Sequence, residues 1–352
     1  ENIMANKYLA LTVLTLFILK IFAINFTNFD LFGDEAQYWL WSRSLDYGYY
    51  SKPPLLAWVI SVYTVFIGNS FIALKLLPSL IYFLIAWSVY KLCKNIGLGK
   101  DESITCSLIF LFIPAVSFST FIISTDILLL LFWTLSLNEL LKIKIYPELK
   151  KFVLLGIFLG LAFLSKYAAI YFLICLALYV VLDKDFRNLF VKNYYGFFIS
   201  LICLFIILLP NIFWNFKNGW ITLQHTSDNA NFNNLDFSFV RGIEFLIIQI
   251  IMVGPLLFVG AITNIKKLKL VRESNFLLVF SILIFIIVLI EAIIVRANAN
   301  WAAPALVTFF IFLYLSLSNK FVKNLNIFLN IVFCTIFFIL IGTSYPSKLF
   351  ER

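Results

Sequence analysis

Long apolar segments, separated by short polar ones, make up most of the chain. About 20 consecutive apolar residues in a helix cross the roughly 30 Å apolar core of a bilayer. Eleven segments reach or approach that length, at residues 8–26, 71–92, 103–121, 126–143, 152–165, 168–182, 194–212, 241–262, 276–295, 301–318 and 325–342. The pattern therefore predicts an all-α polytopic membrane protein with about 11 spans.

The composition leads to the same conclusion. Of the 352 residues, 62% are hydrophobic and 13% are charged, and the mean hydropathy is +0.99. A soluble domain could not bury so much apolar surface. No soluble domain interrupts the segments, so we expect one transmembrane domain over 1–343 and a short outer tail over 344–352. The five cysteines lie in or beside apolar segments without CxxC spacing, which favours packing over metal binding.

Clusters of lysine and arginine orient the chain. If the N-terminus is inside, dense clusters fall in short inner loops, such as those at 142–151 and 266–272, and the outer segments carry fewer, scattered cations. This is the arrangement that the positive-inside rule describes. The net charge of +9 is then an orientation signal, because a nucleic-acid-binding protein would concentrate it on one face. We expect a multi-pass protein of the bacterial inner membrane with no nucleic-acid partner.

The apolar segment at 54–68 is short, and its placement is ambiguous from hydropathy alone. If it crossed the membrane, every later loop would change sides and the lysine clusters would face outward. We therefore expect a re-entrant or horizontal helix in or near the outer interface, beginning after Pro53 and Pro54.

Two outer regions, at about 28–70 and 211–240, are rich in aromatic and polar residues. The inner loops, in contrast, are short and basic. Binding and catalytic side chains are commonly carried by loops that a rigid scaffold positions. We therefore expect the chemistry of this protein at its outer face.

An acidic pair, Asp34 and Glu35, stands at the start of the first outer region. A carboxylate there could act as general base on a hydroxyl group within hydrogen-bond reach. Neighbouring positions on a helix point about 100° apart, so the two acids are expected to have different roles. The alternative is structural: Asp34 and Gln37 form an Asp-x-x-Gln pattern that could cap a helix over about 35–44.

Several short motifs resemble those of a known superfamily. The segments GDEAQYW at 33–39 and GYYSKPPLLAW at 48–58 are similar to the first periplasmic loop of GT-C glycosyltransferases. The family 39-like members resemble it most: protein O-mannosyltransferases, and the aminoarabinose and galacturonic acid transferases of lipopolysaccharide. Further matches follow in order, with STDILLLLFW at 124–133, GLAFLSKY at 160–167, PNIFWN at 210–215 and RANANWAAP at 296–304.

This resemblance implies a fold and an activity. The fold would be a bundle of transmembrane helices with interfacial helices in the first outer loop, which agrees with the interpretation of 54–68. The enzyme would take a sugar from a polyprenyl-phosphate donor and transfer it, outside the cytoplasm, to lipid A, lipopolysaccharide, another envelope glycan or a protein. Asp34 would be the catalytic carboxylate and Glu35 its partner.

Three cations are candidates for binding the donor phosphate. Lys52 and Lys166 each stand at an outer membrane boundary, where an ammonium group could hold a lipid phosphate and stabilise it as a leaving group. Arg296 is the third candidate. The alternatives are that such lysines only extend to the interface, or that Lys166 only marks a turn within the long apolar stretch at 152–182.

Asp126 is a candidate substrate-binding residue, because related enzymes carry an acid in this outer loop near the donor or a metal. Alternatively, it favours the positive end of a helix that Ser124 or Thr125 caps. Asp126 and the single histidine, His225, are too few ligands for a convincing metal site. The sequence identifies no cofactor, and it leaves open whether the protein needs a divalent metal ion.

The remaining substrate-binding candidates are polar or aromatic residues of the outer regions: Tyr49, Tyr50, His225, Asn300 and Trp301. Aromatic rings could stack on a sugar, or they could belong to the interfacial aromatic belt. For His225 the favoured alternative is a hydrogen-bonded loop histidine.

Two other functions fit the composition. A transporter or lipid flippase would place polar groups near the bilayer midplane on broken helices, often in paired repeats. A non-catalytic assembly subunit would keep the fold without the acid pair and the lysines. Many relatives continue into a C-terminal periplasmic domain, whereas this sequence stops at Arg352, so acceptor recognition is not evident from it.

Overall fold

The computed structural model describes residues 2–230, 236–263, 273–295, 297–317 and 319–343. Within these ranges every regular element is helical. The α-helices are α1 (Asn2–Phe26), α2 (Gly33–Trp41), α3 (Leu55–Ile67), α4 (Phe71–Ile96), α5 (Lys100–Phe110), α6 (Pro114–Ser119), α7 (Thr125–Ile145), α8 (Leu149–Ser165), α9 (Ile170–Leu182), α10 (Lys184–Lys192), α11 (Tyr194–Lys217), α12 (Ile221–Ala230), α13 (Phe239–Val253), α14 (Pro255–Thr263), α15 (Ser274–Ile294), α16 (Leu306–Ser316) and α17 (Lys320–Ile341). Short 3₁₀ helices cover Tyr167–Ala169 and Ala299–Ala305.

Every predicted apolar segment corresponds to a helix or to a pair of helices. In the described ranges, six helices are long and apolar enough to cross a membrane, or seven if the bent pair α9–α10 counts as one. The count of eleven spans is not confirmed. Two predicted segments are broken: Pro114 starts α6 after the end of α5, and Gly254 separates α13 from α14. Gly254 has φ +115°, and a Cβ there would lie 2.7 Å from the Asn326 side chain, so only glycine fits.

The segment at 54–68 forms α3, a helix of 13 residues that starts after Pro54 and ends before Gly68. Helix formation there confirms the prediction, while its placement at the outer interface stays a prediction. One face is buried, with Ile60 fully inaccessible, and Val65 and Phe66 on the other are exposed. At 1.5 Å per residue, a helix of this length is too short for the apolar core of a bilayer.

The centre of the bundle is α7, whose side chains are buried on nearly all sides. Trp133 is fully buried there, with its ring edge-on to Phe172 of α9 and Phe280 of α15. The α8 helix packs closely on α11, because a Cβ at Gly156 would lie 2.3 Å from the Ser200 carbonyl oxygen. In contrast, α1, α11 and α17 expose most of their apolar surface, as helices that face lipid do.

A sharp bend of 108° between α9 and α10 was not predicted from the sequence. Asp183 stands at the bend, and its carboxylate caps α10 by accepting a hydrogen bond of 2.8 Å from the Phe186 amide. The helix α10 buries Phe186 and exposes its charged residues. All five cysteines are free and four of them are buried, which confirms their interpretation as packing residues.

Candidate active site

The acidic pair lies in the first turn of α2, which begins at Gly33 and ends at Trp41. Glu35, not Asp34, stabilises this turn: its Oε2 accepts a hydrogen bond of 2.9 Å from the Phe32 amide, which precedes the helix. The predicted cap by Asp34 and Gln37 is therefore wrong, because the helix starts two residues earlier than expected. Asp34 is exposed, and its carboxylate accepts no hydrogen bond from any residue that the structure describes.

Glu35 is fully buried and forms an ion pair with Lys75 of α4, which is also fully buried. Lys75 Nζ lies 2.8 Å from Glu35 Oε1 and 2.6 Å from Oε2, and the Ile123 amide donates to Oε1 at 2.8 Å. The ammonium group also lies 4.6 Å from the ring centre of Phe121. Both carboxylate oxygens of Glu35 are thus occupied.

This geometry corrects the expectation that Glu35 takes part in catalysis. A carboxylate that is inaccessible and saturated with donors cannot reach a substrate, so Glu35 positions α2. Its partner, Lys75, was missed in the sequence, where it reads as one of the scattered outer lysines. The available signal was a lone lysine within an apolar helix, since ionisable residues at such positions generally have partners.

The two acids point in different directions because consecutive helix positions are about 100° apart. Glu35 points into the bundle and Asp34 points out of it. Tyr38, one turn further along α2, is buried, and this burial raises the pKa of its hydroxyl. The negative charges of Asp34, Asp126 and Glu35 raise this pKa in the same direction.

Lys52 lies in the loop between α2 and α3 and is half-buried. Within the described ranges its Nζ donates no hydrogen bond. Burial lowers the pKa of Lys52, and the nearby Lys166 ammonium lowers it further, while Asp126 and Asp34 act in the opposite direction. The charges that act on Lys52 are therefore those of Lys166, Asp126 and Asp34, and Lys166 and Asp126 form an ion pair at 2.6 Å.

Asp126 links two of the predicted site segments. Its Oδ1 accepts a hydrogen bond of 2.6 Å from Lys166 Nζ, and its Oδ2 accepts one of 2.8 Å from Asn300 Nδ2. No side chain caps the start of α7, so neither Ser124 nor Thr125 has the predicted capping role. Lys166 also stands at the break between α8 and the 3₁₀ helix that follows, as the alternative interpretation expected.

The aromatic candidates differ in their surroundings. Tyr49 is buried, stacks on Trp41 with ring centres 4.6 Å apart, and uses its hydroxyl to bind backbone groups of the loop. Tyr49 is therefore structural, which corrects its assignment as a substrate-binding residue. Tyr50 is exposed, and its ring lies 4.7 Å from that of His225, edge to face. Trp301 is half-buried against the core, and Arg296 lies outside the described residues.

The two outer regions come together at this point. Thr222 of α12 donates a hydrogen bond of 2.7 Å to the Tyr49 carbonyl oxygen, next to the contact between Tyr50 and His225. The structure thus places part of the second outer region against the first loop.

A hydrogen-bond network that the sequence did not reveal joins α11 to the site. Asn211 Nδ2 donates to the Tyr47 carbonyl oxygen at 2.7 Å, and its Oδ1 accepts from the Tyr167 hydroxyl at 2.8 Å. A Cβ at Gly48 would lie 2.3 Å from the Trp214 ring, so the loop packs closely on α11. These contacts explain the polar residues of PNIFWN and connect the first loop to the residue after Lys166.

No metal ligands can be assigned in the part of the chain that the structure describes. No three His, Cys, Asp or Glu side chains converge there in a way that could hold an ion. Of the three carboxylates of the site, Glu35 is already bound by Lys75 and Asp126 by Lys166.

The structure is thus a helical membrane bundle that carries an exposed carboxylate, a half-buried lysine and a bridged acid on loops and helix starts. The model of the dolichyl-phosphate-mannose-protein mannosyltransferase family matches residues 51–214. The chain is also 30% identical over 343 residues to the lipid A galacturonosyltransferase RgtD of Rhizobium johnstonii, covering 96% of this chain and 72% of that protein.

Solved structures of the same fold include ArnT from Cupriavidus metallidurans. The TM-score is 0.66 at 15% identity for its apo state and 0.68 at 16% for its complex with undecaprenyl phosphate. The oligosaccharyltransferase of Archaeoglobus fulgidus in complex with zinc and sulfate has a TM-score of 0.54 at 15% identity, covering 95% of this chain and 52% of that one. The region that matches ArnT comprises 89% of this chain and 60% of the ArnT chain.

The chain belongs to the GT-C family of membrane glycosyltransferases. This confirms the resemblance seen in the motifs of its outer loops, and the all-helical bundle agrees with the fold that the resemblance implied.

Proposed function

We propose that this protein transfers a sugar from a polyprenyl-phosphate donor to a lipid of the bacterial envelope, at the periplasmic face of the inner membrane. The observation that carries the proposal is the exposed Asp34 carboxylate, which the described residues leave unbound on α2 while its neighbour Glu35 is buried against Lys75. The names of two similar proteins support the substrates: RgtD acts on lipid A, and ArnT has been solved with undecaprenyl phosphate.

Asp34 is the general base in this proposal. An acceptor hydroxyl attacks the anomeric carbon of the sugar, a C–O bond forms, and the bond between that carbon and the phosphate oxygen breaks. The acceptor proton passes to the Asp34 carboxylate, and the polyprenyl phosphate leaves with the bonding electron pair. A base must be accessible and not already saturated with donors, and Asp34 meets both conditions whereas Glu35 meets neither.

Lys52 holds the donor phosphate. Its ammonium group is half-buried, with the charge of Lys166 nearby, so an anion entering the site would relieve an unfavourable interaction. A charge-assisted contact of this kind also stabilises the phosphate as it leaves, when its charge grows. Lys166 contributes less to phosphate binding than Lys52, because Asp126 already binds its ammonium group at 2.6 Å. A role for Arg296 in binding the donor phosphate is proposed from the sequence alone.

The acceptor surface is proposed to lie where α12 meets the first loop. Tyr50 is exposed there beside His225, and Asn300 is exposed where it binds Asp126. Rings and amide groups so placed are suited to contact a sugar and its acceptor. The distribution of lysine and arginine supports a periplasmic location for this end of the bundle.

The test is transfer by the purified protein in lipid nanodiscs. Undecaprenyl-phosphate-linked galacturonic acid, aminoarabinose or mannose serves as donor, and lipid A serves as acceptor. Mass spectrometry should show that lipid A gains one sugar residue with one of these three donors. The Asp34→Asn variant should add no sugar to lipid A with the same donor. Lipid A, core sugars and envelope proteins from cells with and without the gene give a second comparison. Protein that changes no lipid in either experiment, but carries lipid between leaflets, would contradict the proposal.

A further inference from the structure

Residues 120–124 join α6 to α7, and we call them the α6–α7 strap. Charged side chains from three other helices bind the backbone of this strap. Lys20 of α1 donates to the Thr120 carbonyl oxygen, and Lys75 of α4 donates to that of Phe121 at 3.2 Å. The Ile123 amide donates to Glu35 of α2 at 2.8 Å. Side chains from α1, α2 and α4 therefore hold the backbone of the strap.

The strap connects the two parts of the candidate active site. On one side Ile123 binds Glu35, whose neighbour is the exposed Asp34. On the other side α7 begins, and its second residue is Asp126, which binds Lys166 and Asn300. A shift of the strap would thus move the acidic pair relative to the residues that surround the donor phosphate.

Lys20 is unusual because its ammonium group is buried within the long apolar helix α1 without a carboxylate partner among the described residues. Only 2% of its surface is exposed, and it donates to the Ser79 hydroxyl and to the Thr120 carbonyl oxygen. It forms no ion pair with any residue in the described part of the chain. Ionisable side chains within membrane helices are costly, and such residues generally have a function. Here the long side chain spans the space from α1 to the strap.

We propose that Lys20 and Lys75 are positioning residues, which hold the α6–α7 strap and so set the separation between the Asp34 carboxylate and the donor-phosphate side of the site. The inference rests on the proposed function of Asp34 and Lys52. Lys20 touches neither of those residues, so its effect on the reaction passes through the backbone of the strap.

The central test is the variant Lys20→Met, which keeps a flexible apolar side chain and removes the ammonium group. A misplacement of about 1 Å can cost about 10²-fold in rate, so kcat should fall by that order. The affinity for undecaprenyl phosphate should stay near that of the wild type, because Lys52 is unchanged. Lys20→Arg retains donors for the strap and should restore much of the lost kcat.

Ser79→Ala is the matched control, since it removes the other acceptor of Lys20 and leaves the strap contact in place. It should keep kcat within about two-fold of the wild type, because the contact between Lys20 and the strap is unchanged. If Lys20→Met does not fold, the double variant Glu35→Gln with Lys75→Met replaces it. That variant removes two opposite charges together, loses the Lys75 contact with Phe121, and should show the same loss of kcat with unchanged donor affinity.

Three outcomes would overturn the inference: a wild-type kcat in Lys20→Met, a loss of donor affinity with unchanged kcat, or an equal loss in Ser79→Ala. If Asp34→Asn is inactive while Lys20→Met has the wild-type kcat, only the positioning role fails. If Asp34→Asn itself transfers sugar at the normal rate, the proposed function of Asp34 fails and this inference fails with it.

Discussion

Lys75 binds both carboxylate oxygens of Glu35, at 2.8 and 2.6 Å, and neither side chain is accessible to solvent. The pair joins α2, which carries Asp34, to the long helix α4. The two residues are 40 positions apart in the chain. The direction in which Asp34 points is therefore determined by a buried contact of its neighbour.

The first prediction concerns this ion pair. Glu35→Ala should destabilise the fold by about 3–5 kcal/mol, because it leaves the Lys75 ammonium group buried without a counter-charge. Replacing both partners, as Glu35→Gln with Lys75→Met, should cost clearly less. Chemical or thermal unfolding in detergent measures both differences. Equal destabilisation in the single and double variants would show that the charge pairing is not the cause.

Asp34→Asn tests the general base. Asp34 is exposed and takes no part in the helix cap, so the change should leave folding and donor affinity unaffected. The amide cannot accept the acceptor proton, and kcat should fall by about 10²–10⁴-fold. The matched control is Asp30→Asn, a neighbouring exposed carboxylate that, among the described residues, accepts a hydrogen bond only from the Leu31 amide and should keep full activity. Near-normal transfer by Asp34→Asn would refute the catalytic assignment.

Lys52 and Lys166 should differ in their contribution to donor affinity. Lys52→Ala removes a charge-assisted contact and should weaken the binding of undecaprenyl phosphate by about 1.5–3 kcal/mol. Lys166→Ala should cost less, since Asp126 already pairs with that ammonium group. Lys217→Ala, at the end of α11, is the control and should bind normally. Equal binding by Lys52→Ala and wild-type protein would mean that Lys52 holds no phosphate.

The lowered pKa of Lys52 predicts a pH dependence. The ammonium form binds the phosphate, so affinity should be constant near neutral pH and fall as the pH rises through this pKa, below the usual 10.5. Lys52→Arg should bind without this decline, because a guanidinium group stays protonated throughout. Titration of the dissociation constant of undecaprenyl phosphate from neutral to alkaline pH measures the effect. An identical decline in both proteins would assign it to another group.

The orientation of the bundle can be tested by cysteine labelling in a variant without native cysteines. A membrane-impermeant maleimide should reach a cysteine introduced at Asp228 on α12 from the periplasm. A cysteine at Pro147, in the loop between α7 and α8, should react only after the membrane is permeabilised. Both positions are exposed, so accessibility within the protein does not limit either reaction. The reverse pattern would place the candidate site in the cytoplasm.

The sequence by itself determined the class of fold and the parts of the chain that carry the site. Hydropathy along the chain is a local property, and it marked the apolar helices. The positions of lysine and arginine then distinguished α3 from the spans. The motifs around Asp34, Lys52 and Asp126 were likewise contiguous, so the family and the candidate residues could be inferred without coordinates.

The contacts of the described candidates could be seen only in the tertiary structure. Whether Asp34 or Glu35 faces the bundle depends on where α2 begins and on Lys75, which another helix supplies. Asp126 is bound by Asn300, 174 residues away, and the strap is bound by Lys20, 100 residues from Thr120. Such contacts leave no local pattern, because they arise only when separate helices pack and each buried polar group must find a partner.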